Sequence, residues 1–270
     1  MIGDYAWLCL MAALGGGINA LAGGGTLLTF PALVAALTAG SLATTGTTLS
    51  ADAAKVLANG TSTVALFPAS LAALWGYRKD FAAYSSWAAR LVPSSIVGGT
   101  LGAYLLTELS DRTFAVLVPW LILVAASLFA LQPLIASKLG IGKPHESPQG
   151  STVIGVVVFQ FFVGIYGGYF GAGIGILMLS ALAMMGLSDI HAMNGLKSLL
   201  GSCINGSAVV WFIVQGNVEW RLAGMMVVAG CLGAFLAAHY GRRLPRTWVR
   251  AFVICIGFTL AAYYFYQQFA

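Results

Sequence analysis

The sequence predicts an all-α integral membrane protein: a polytopic helical bundle of two inverted five-segment repeats, with broken or re-entrant half-helices meeting near the midplane. Three observations predict it. The chain is 59% hydrophobic and only 8% charged, whereas soluble domains carry about a quarter charged residues. Apolar runs recur along its whole length, so its solvent must be lipid. A glycine-rich break followed by a short apolar run occurs once in each half.

Apolar runs bounded by charges or turn residues give ten segments. They cover about 6–22, 26–37, 52–75, 84–106 and 113–133, then 153–170, 175–186, 190–214, 222–240 and 248–268. The first carries Ala20-Leu21-Ala22, which resembles a signal-peptidase site. Its leading region holds Asp4 and no basic side chain, so the segment is expected to stay in the mature protein. The second and seventh have about 12 residues, spanning about 18 Å at the rise of an α-helix, against a hydrocarbon core of about 30 Å. They read as half-helices. The stretch Ala136–Ser151, with Lys138, Lys143, Pro144, His145, Glu146 and Pro148, separates two sets of five. The organisation is therefore a first repeat over 1–133, a linker over 134–152 and a second repeat over 153–270.

The two sets match in order. Ala22–Leu33 (AGGGTLLTFPAL) parallels Gly171–Leu182 (GAGIGILMLSAL), Asp52 and Asp189 each open the next long segment, and Gly98–Ala103 parallels Ala229–Ala234. Loop charges then set orientation. Arg78, Lys79, Lys138, Lys143, Arg242, Arg243, Arg246 and Arg250 belong on the cytoplasmic side, leaving Arg112 and Arg221 outside. By the positive-inside rule both termini lie outside and the linker lies in the cytoplasm of a bacterial inner membrane. Counting crossings makes the repeats inverted, a layout that places a site where they meet.

Each half-helix is reached through glycines: Gly23, Gly24 and Gly25 before Thr26, and Gly171 and Gly173 before Gly175. Uncovered amides at a helix N-terminus carry about half a positive charge and attract anions. Non-helical backbone at that depth must be buried or line a cavity. The third segment adds Asn59, Thr61 and Ser62. The eighth adds Asn194, Ser198, Ser202 and Asn205 on one helical face, flanked by Lys197. A lysine in an apolar span is a functional candidate, because the charge is costly there. Snorkelling suffices for Lys55, which lies nearer its segment's start. His191 is a candidate proton-handling group at the cytoplasmic edge.

At these residues the chain resembles the TauE/SafE family of sulfite and organosulfonate exporters. The resemblance rests on the two glycine breaks with their short helices, on Ala58–Ser62 (ANGTS) and on Gly216–Ala223 (GNVEWRLA). It implies export of a small sulfur-containing anion such as sulfite, sulfoacetate or a related organosulfonate. An importer or channel for an inorganic anion such as sulfate is the alternative. Enzyme chemistry is not expected: there is no paired aspartate at depth, no His-rich metal set and no redox cysteine pair among Cys9, Cys203, Cys231 and Cys255. No cofactor and no metal are expected. The expected partners are lipid and a small anion, with a homodimer allowed. The net charge of +5 lies between apolar runs rather than in a nucleic-acid-binding patch.

Overall fold

The computed structural model describes residues 2–39, 50–76, 84–138, 151–184, 187, 189–240 and 246–269, and among them every regular element is a helix. The helices are α1 (Ile2–Ala22), α2 (Thr26–Thr38), α3 (Ala51–Gly76), α4 (Ser85–Glu108) and α5 (Asp111–Lys138), then α6 (Ser151–Tyr169), α7 (Ile174–Met184), α8 (Ile190–Val214), α9 (Trp220–Tyr240) and α10 (Arg246–Phe269). They reproduce the ten apolar segments to within a few residues. The largest difference is at α5, which continues to Lys138, into the stretch read as linker. Pro133 lies inside that helix; proline removes one intrahelical bond, and here the helix carries on past it.

Among the described residues, five helices are long and apolar enough to cross a membrane: α3, α5, α8, α9 and α10. Their outward side chains are large and apolar, among them Trp120, Val124, Val210, Val228 and Phe235. In water such a surface would drive aggregation; in lipid it is solvated. The short helix α2 behaves differently. Leu27, Leu28, Phe30, Leu33, Val34 and Leu37 are all buried, together with Thr29, Ala32 and Ala36. A helix that is apolar all round is enclosed by protein or lipid. Here protein encloses it: Phe30 sits edge-on to Phe114 of α5 at 6.1 Å and to Phe170 at 5.6 Å. Tyr264 of α10 closes the cluster at 6.4 Å.

Helix pairing repeats across the two sets. α1 packs on α9 as α6 packs on α4, and α3 packs on α9 as α8 packs on α4. Likewise α2 packs on α1 and α3 as α7 packs on α6 and α8, while α3 meets α8 and α5 meets α10. The pairing of α3 with α5 is the exception, with no equally close α8 to α10 counterpart.

The two closest interfaces are made by glycine. Without a hydrophobic force between helices in lipid, close backbone approach supplies the contact. On α1 and α9, Gly16 rests against the Gly230 carbonyl and Gly233 against that of Ala13. On α4 and α6, Gly102 rests against the Ile165 carbonyl and Gly168 against that of Gly99. A β-carbon at any of these positions would strike backbone. We therefore expect Gly16→Ala and Gly102→Ala each to cost about 1–3 kcal/mol, as overpacking does. Thermal unfolding in detergent checks this. Gly155→Ala is the control, since nothing lies within 4 Å of a β-carbon there; a drop as large as for the interface variants would mean that helix contact is not the cause.

Candidate functional site

Each half-helix begins where a longer helix stops, and both stops are built alike. Gly23 follows α1 with φ +76°, and Gly171 follows α6 with φ +81°. That left-handed backbone is cheap only for glycine. The Gly23 amide donates to the carbonyls of Ile18 at 3.2 Å and Asn19 at 3.0 Å, and the Gly171 amide to that of Tyr166 at 3.2 Å. These are the reverse bonds that end helices in a positive-φ residue. The chain then folds back: a β-carbon on Gly25 would meet Asn19, and one on Gly15 would meet Thr29. Beyond the turns, the amides of Gly24, Gly25, Ala172 and Gly173 donate to no other described residue.

The two turns lie against one another. A β-carbon on Gly23 would be 3.6 Å from the Cα of Gly175, and one on Gly171 would be 4.0 Å from the Thr26 hydroxyl. Both sit where α3 and α8 cross antiparallel. The Ser202 hydroxyl donates to the Ser70 carbonyl at 3.4 Å, and Gly206 faces the Phe67 ring. Beside this crossing is a cavity of about 60 Å³. A water needs roughly 10–15 Å³ on that measure, so the space takes a few waters or one small oxyanion.

Its walls come from both sets of helices. Gly23, Thr26, Thr63, Ser70 and Asn19 contribute from α1 to α3, and Gly171, Gly175, Lys197, Ser198 and Asn205 from α6 to α8. Leu66, Ile174 and Met178 supply an apolar side. Among its described lining residues there is no carboxylate, and Lys197 is the one cation. Lys197 donates to the Asn194 side chain at 3.1 Å. It precedes the crossing by about seven residues, or about 10 Å along α8. The ammonium is therefore held within reach of the cavity by an asparagine one turn away.

Of the residues singled out in the sequence, Gly23, Thr26, Gly171, Lys197, Ser198 and Asn205 line this space. The others are placed elsewhere. A β-carbon on Gly24 would sit 2.5 Å from the Phe129 ring, and one on Gly173 would lie 3.6 Å from Ala125, so both glycines pack against α5. Gly25 packs against the Gly15 carbonyl. Asn59 is buried and donates to the Tyr169 carbonyl at 3.1 Å. Ser62 and Thr29 share a hydrogen bond of 2.5 Å, and Thr61 accepts from the Glu219 amide at 3.0 Å. Lys55 pairs with Asp52 at 3.6 Å, away from the cavity. The His191 side chain and the basic loops around Arg78, Lys143 and Arg243 lie outside the described residues. Among the described residues no three His, Cys, Asp or Glu come together as metal ligands would.

Sequence reasoning missed Asn19, Ser70 and Met178, and passed over Thr63 at the end of the polar string Asn59–Thr63. The signal for two of them was periodicity. Thr63, Leu66, Ser70 and Ala73 are spaced by three, four and three, so they form one face of α3, and that face lines the cavity. The contiguous run Asn59–Ser62 spreads over all faces instead.

Comparison with known proteins places this architecture. Residues 8–264 match the family Sulfite exporter TauE/SafE. The chain is 25% identical to a probable membrane transporter protein of Haemophilus influenzae, over 93% of this chain and 90% of the relative. It is 26% identical to the probable membrane transporter protein YfcA of Escherichia coli K12, over 97% and 89%. It is 25% identical to the probable membrane transporter protein ORF9 of a Sinorhizobium species, over 95% and 90%. No solved structure matches the chain. A multi-pass helical bundle with a cavity at the contact of two broken helices, matched to this family over nearly its whole length, belongs to the TauE/SafE family and is a membrane transporter rather than an enzyme.

Proposed function

We propose that the protein is a secondary transporter that exports a small sulfur-containing anion, sulfite or a short organosulfonate, across the bacterial inner membrane through this cavity. The observation that carries the reading is the meeting of two half-helix N-termini beside one lysine. Each N-terminus presents about half a positive charge, and the first helical residues Thr26, Ile174 and Gly175 line the cavity. Sulfonate and sulfite oxygens accept several charge-assisted hydrogen bonds at once. Thr26, Thr63, Ser198 and Asn205 surround the same space with neutral donors. A cation would find no described carboxylate there.

The repeats, 1–133 and 153–270 about the linker 134–152, are read as inverted. The exchange of helix partners between the two sets supports this, as does the antiparallel crossing of α3 and α8, which carry matching positions in the two repeats. Alternating access then rocks one repeat against the other about the fixed contact of the two turns. An inside-negative membrane returns roughly 2.3 kcal/mol per charge per 100 mV when an anion leaves, so export needs no coupled ion.

Flux from vesicles loaded with sulfite, sulfoacetate, sulfate or thiosulfate tests the substrate. Saturable efflux of sulfite or a sulfonate is the expected result; selective uptake of sulfate in the opposite direction would replace it with the importer reading. We expect Lys197→Ala to lower efflux at least tenfold at unchanged protein abundance. Lys197→Arg should retain part of it, since the charge survives while its hydrogen-bonding geometry changes. Full activity in the alanine variant would remove Lys197 from the site.

Orientation is tested separately. In a background without Cys9, Cys203, Cys231 and Cys255, the Ser147→Cys variant should react with an impermeant thiol reagent only from the cytoplasm. The Asp111→Cys variant should react only from outside. Reaction of both from one side would refute the inverted arrangement.

A further inference from the structure

The cavity is not equally enclosed along the crossing. Toward the α8 N-terminus and the α3 C-terminus, Lys197, Ser198, Gly201, Ser70 and Ala73 are half-exposed. Toward the other membrane face the same two helices are sealed. Ala58, Thr61 and Ser62 are fully buried, Asn59 is 1% exposed, and Ala208 and Phe212 of α8 are fully buried as well.

What seals that end is the turn between α8 and α9. The chain leaves α8 through Gly216, whose φ is +70°, and the Asn217 amide returns to the Phe212 carbonyl at 2.9 Å. This turn seats on α3. The Asn217 carbonyl lies where a β-carbon of residue 60 would be, so only glycine lets the two backbones meet. One residue on, the Thr61 hydroxyl accepts the Glu219 amide at 3.0 Å, capping α9 from a different helix. Val218 and Leu222 are buried beside it. The strings Ala58–Ser62 and Gly216–Ala223, far apart in sequence, thus dock on one another.

We propose that this docked pair, Gly60-Thr61 against Asn217-Glu219, is the gate that closes the cavity toward the face carrying Ser110 and Asn217, and that it separates when the site opens to that face. Two features suit a gate. The contact consists of one neutral hydrogen bond and backbone packing, so it is made and broken without desolvating an ion pair. The closed state is also imperfectly matched: the buried Asn59 donates to the Tyr169 carbonyl, yet its Oδ1 has no partner among the described residues. An unsatisfied buried oxygen destabilises the state that buries it.

The inference rests on the transport reading but not on the identity of the anion, and its test needs no substrate. In the full-length protein lacking its four native cysteines, the Thr63→Cys variant places a thiol in the cavity. The Ser110→Cys variant, at an exposed position, identifies the membrane face in vesicles of either polarity. Thr63→Cys should react with an impermeant reagent from the opposite face and be protected from the Ser110 face. Adding Gly60→Ala, which wedges the docked backbones apart, should raise the rate from the Ser110 face at least tenfold. Adding Thr61→Val, which keeps shape and removes the acceptor, should raise it about two- to fivefold, and serves if the alanine variant does not fold. Unchanged protection in a folded variant of either kind overturns the gate. So does equal reaction of Thr63→Cys alone from both faces. If labelling follows the gate while no anion moves, the gate stands and the anion assignment fails.

Discussion

Everything in this fold is arranged around two backbone turns that touch inside the membrane. A chain in lipid cannot leave its peptide groups unpaired, so a break in a helix at that depth must be hidden within protein. Gly23 and Gly171 resolve this locally by turning their amides back onto the helix just ended. The half-helices they release are surrounded: α2 has nine buried residues out of 13. The aromatic cluster about Phe30 and the outer helices α5 and α10 exist at the positions that enclosure demands. The cavity is the space left where the turns meet and neither helix continues.

The same constraint explains why glycine is spent so heavily elsewhere. For the turns to meet, α3 and α8 must cross with their polar faces inward. Each is held from behind, by α9 and by α4. Those in turn are clamped to α1 and α6 through backbone contacts at Gly16, Gly102, Gly168 and Gly233. Larger residues there would move the helices apart and carry the turns with them. The packing of the outer pairs and the geometry of the site are one problem, linked through α3 and α8.

Much of this was legible in the sequence. Ten apolar runs became ten helices because length and apolarity decide what enters lipid. The half-helices were visible because glycine clusters interrupt runs too short to span. The candidate site was legible only in part, and the reason differs by helix. In α8 the reading followed helical period, and Ser198 and Asn205 do line the cavity. In α3 it followed the contiguous polar string Asn59–Thr63, which wraps around the helix; only Thr63, its last residue, faces the space. Gly24 and Gly173 show a further limit. A glycine needed for a turn, one needed for a close contact and one open to a cavity look identical in sequence. The partner that separates them, Phe129 or Ala125 on α5, lies about 100 residues or about 50 residues away in the chain. Asn19 and Ser70, hydrogen-bonded to each other at 3.2 Å, needed the fold-back of α1 onto α3 to be seen.

The polar string in α3 was not misleading about importance, only about role. Hydroxyls and amides inside an apolar helix need hydrogen-bond partners, and each one here finds a different element: Asn59 the end of α6, Thr61 the start of α9, Ser62 the first turn of α2. A helix that bonds to three others within the four residues Asn59–Ser62 is a junction. Its bonds are neutral and single, while the neighbouring glycine contacts are rigid and made of backbone. In the proposed cycle, movement between the two repeats is therefore easiest where the hydrogen bonds are. In the proposed transport cycle, binding falls to the face of α3 at Thr63 and Ser70 and rearrangement to the stretch just before it, on one continuous helix.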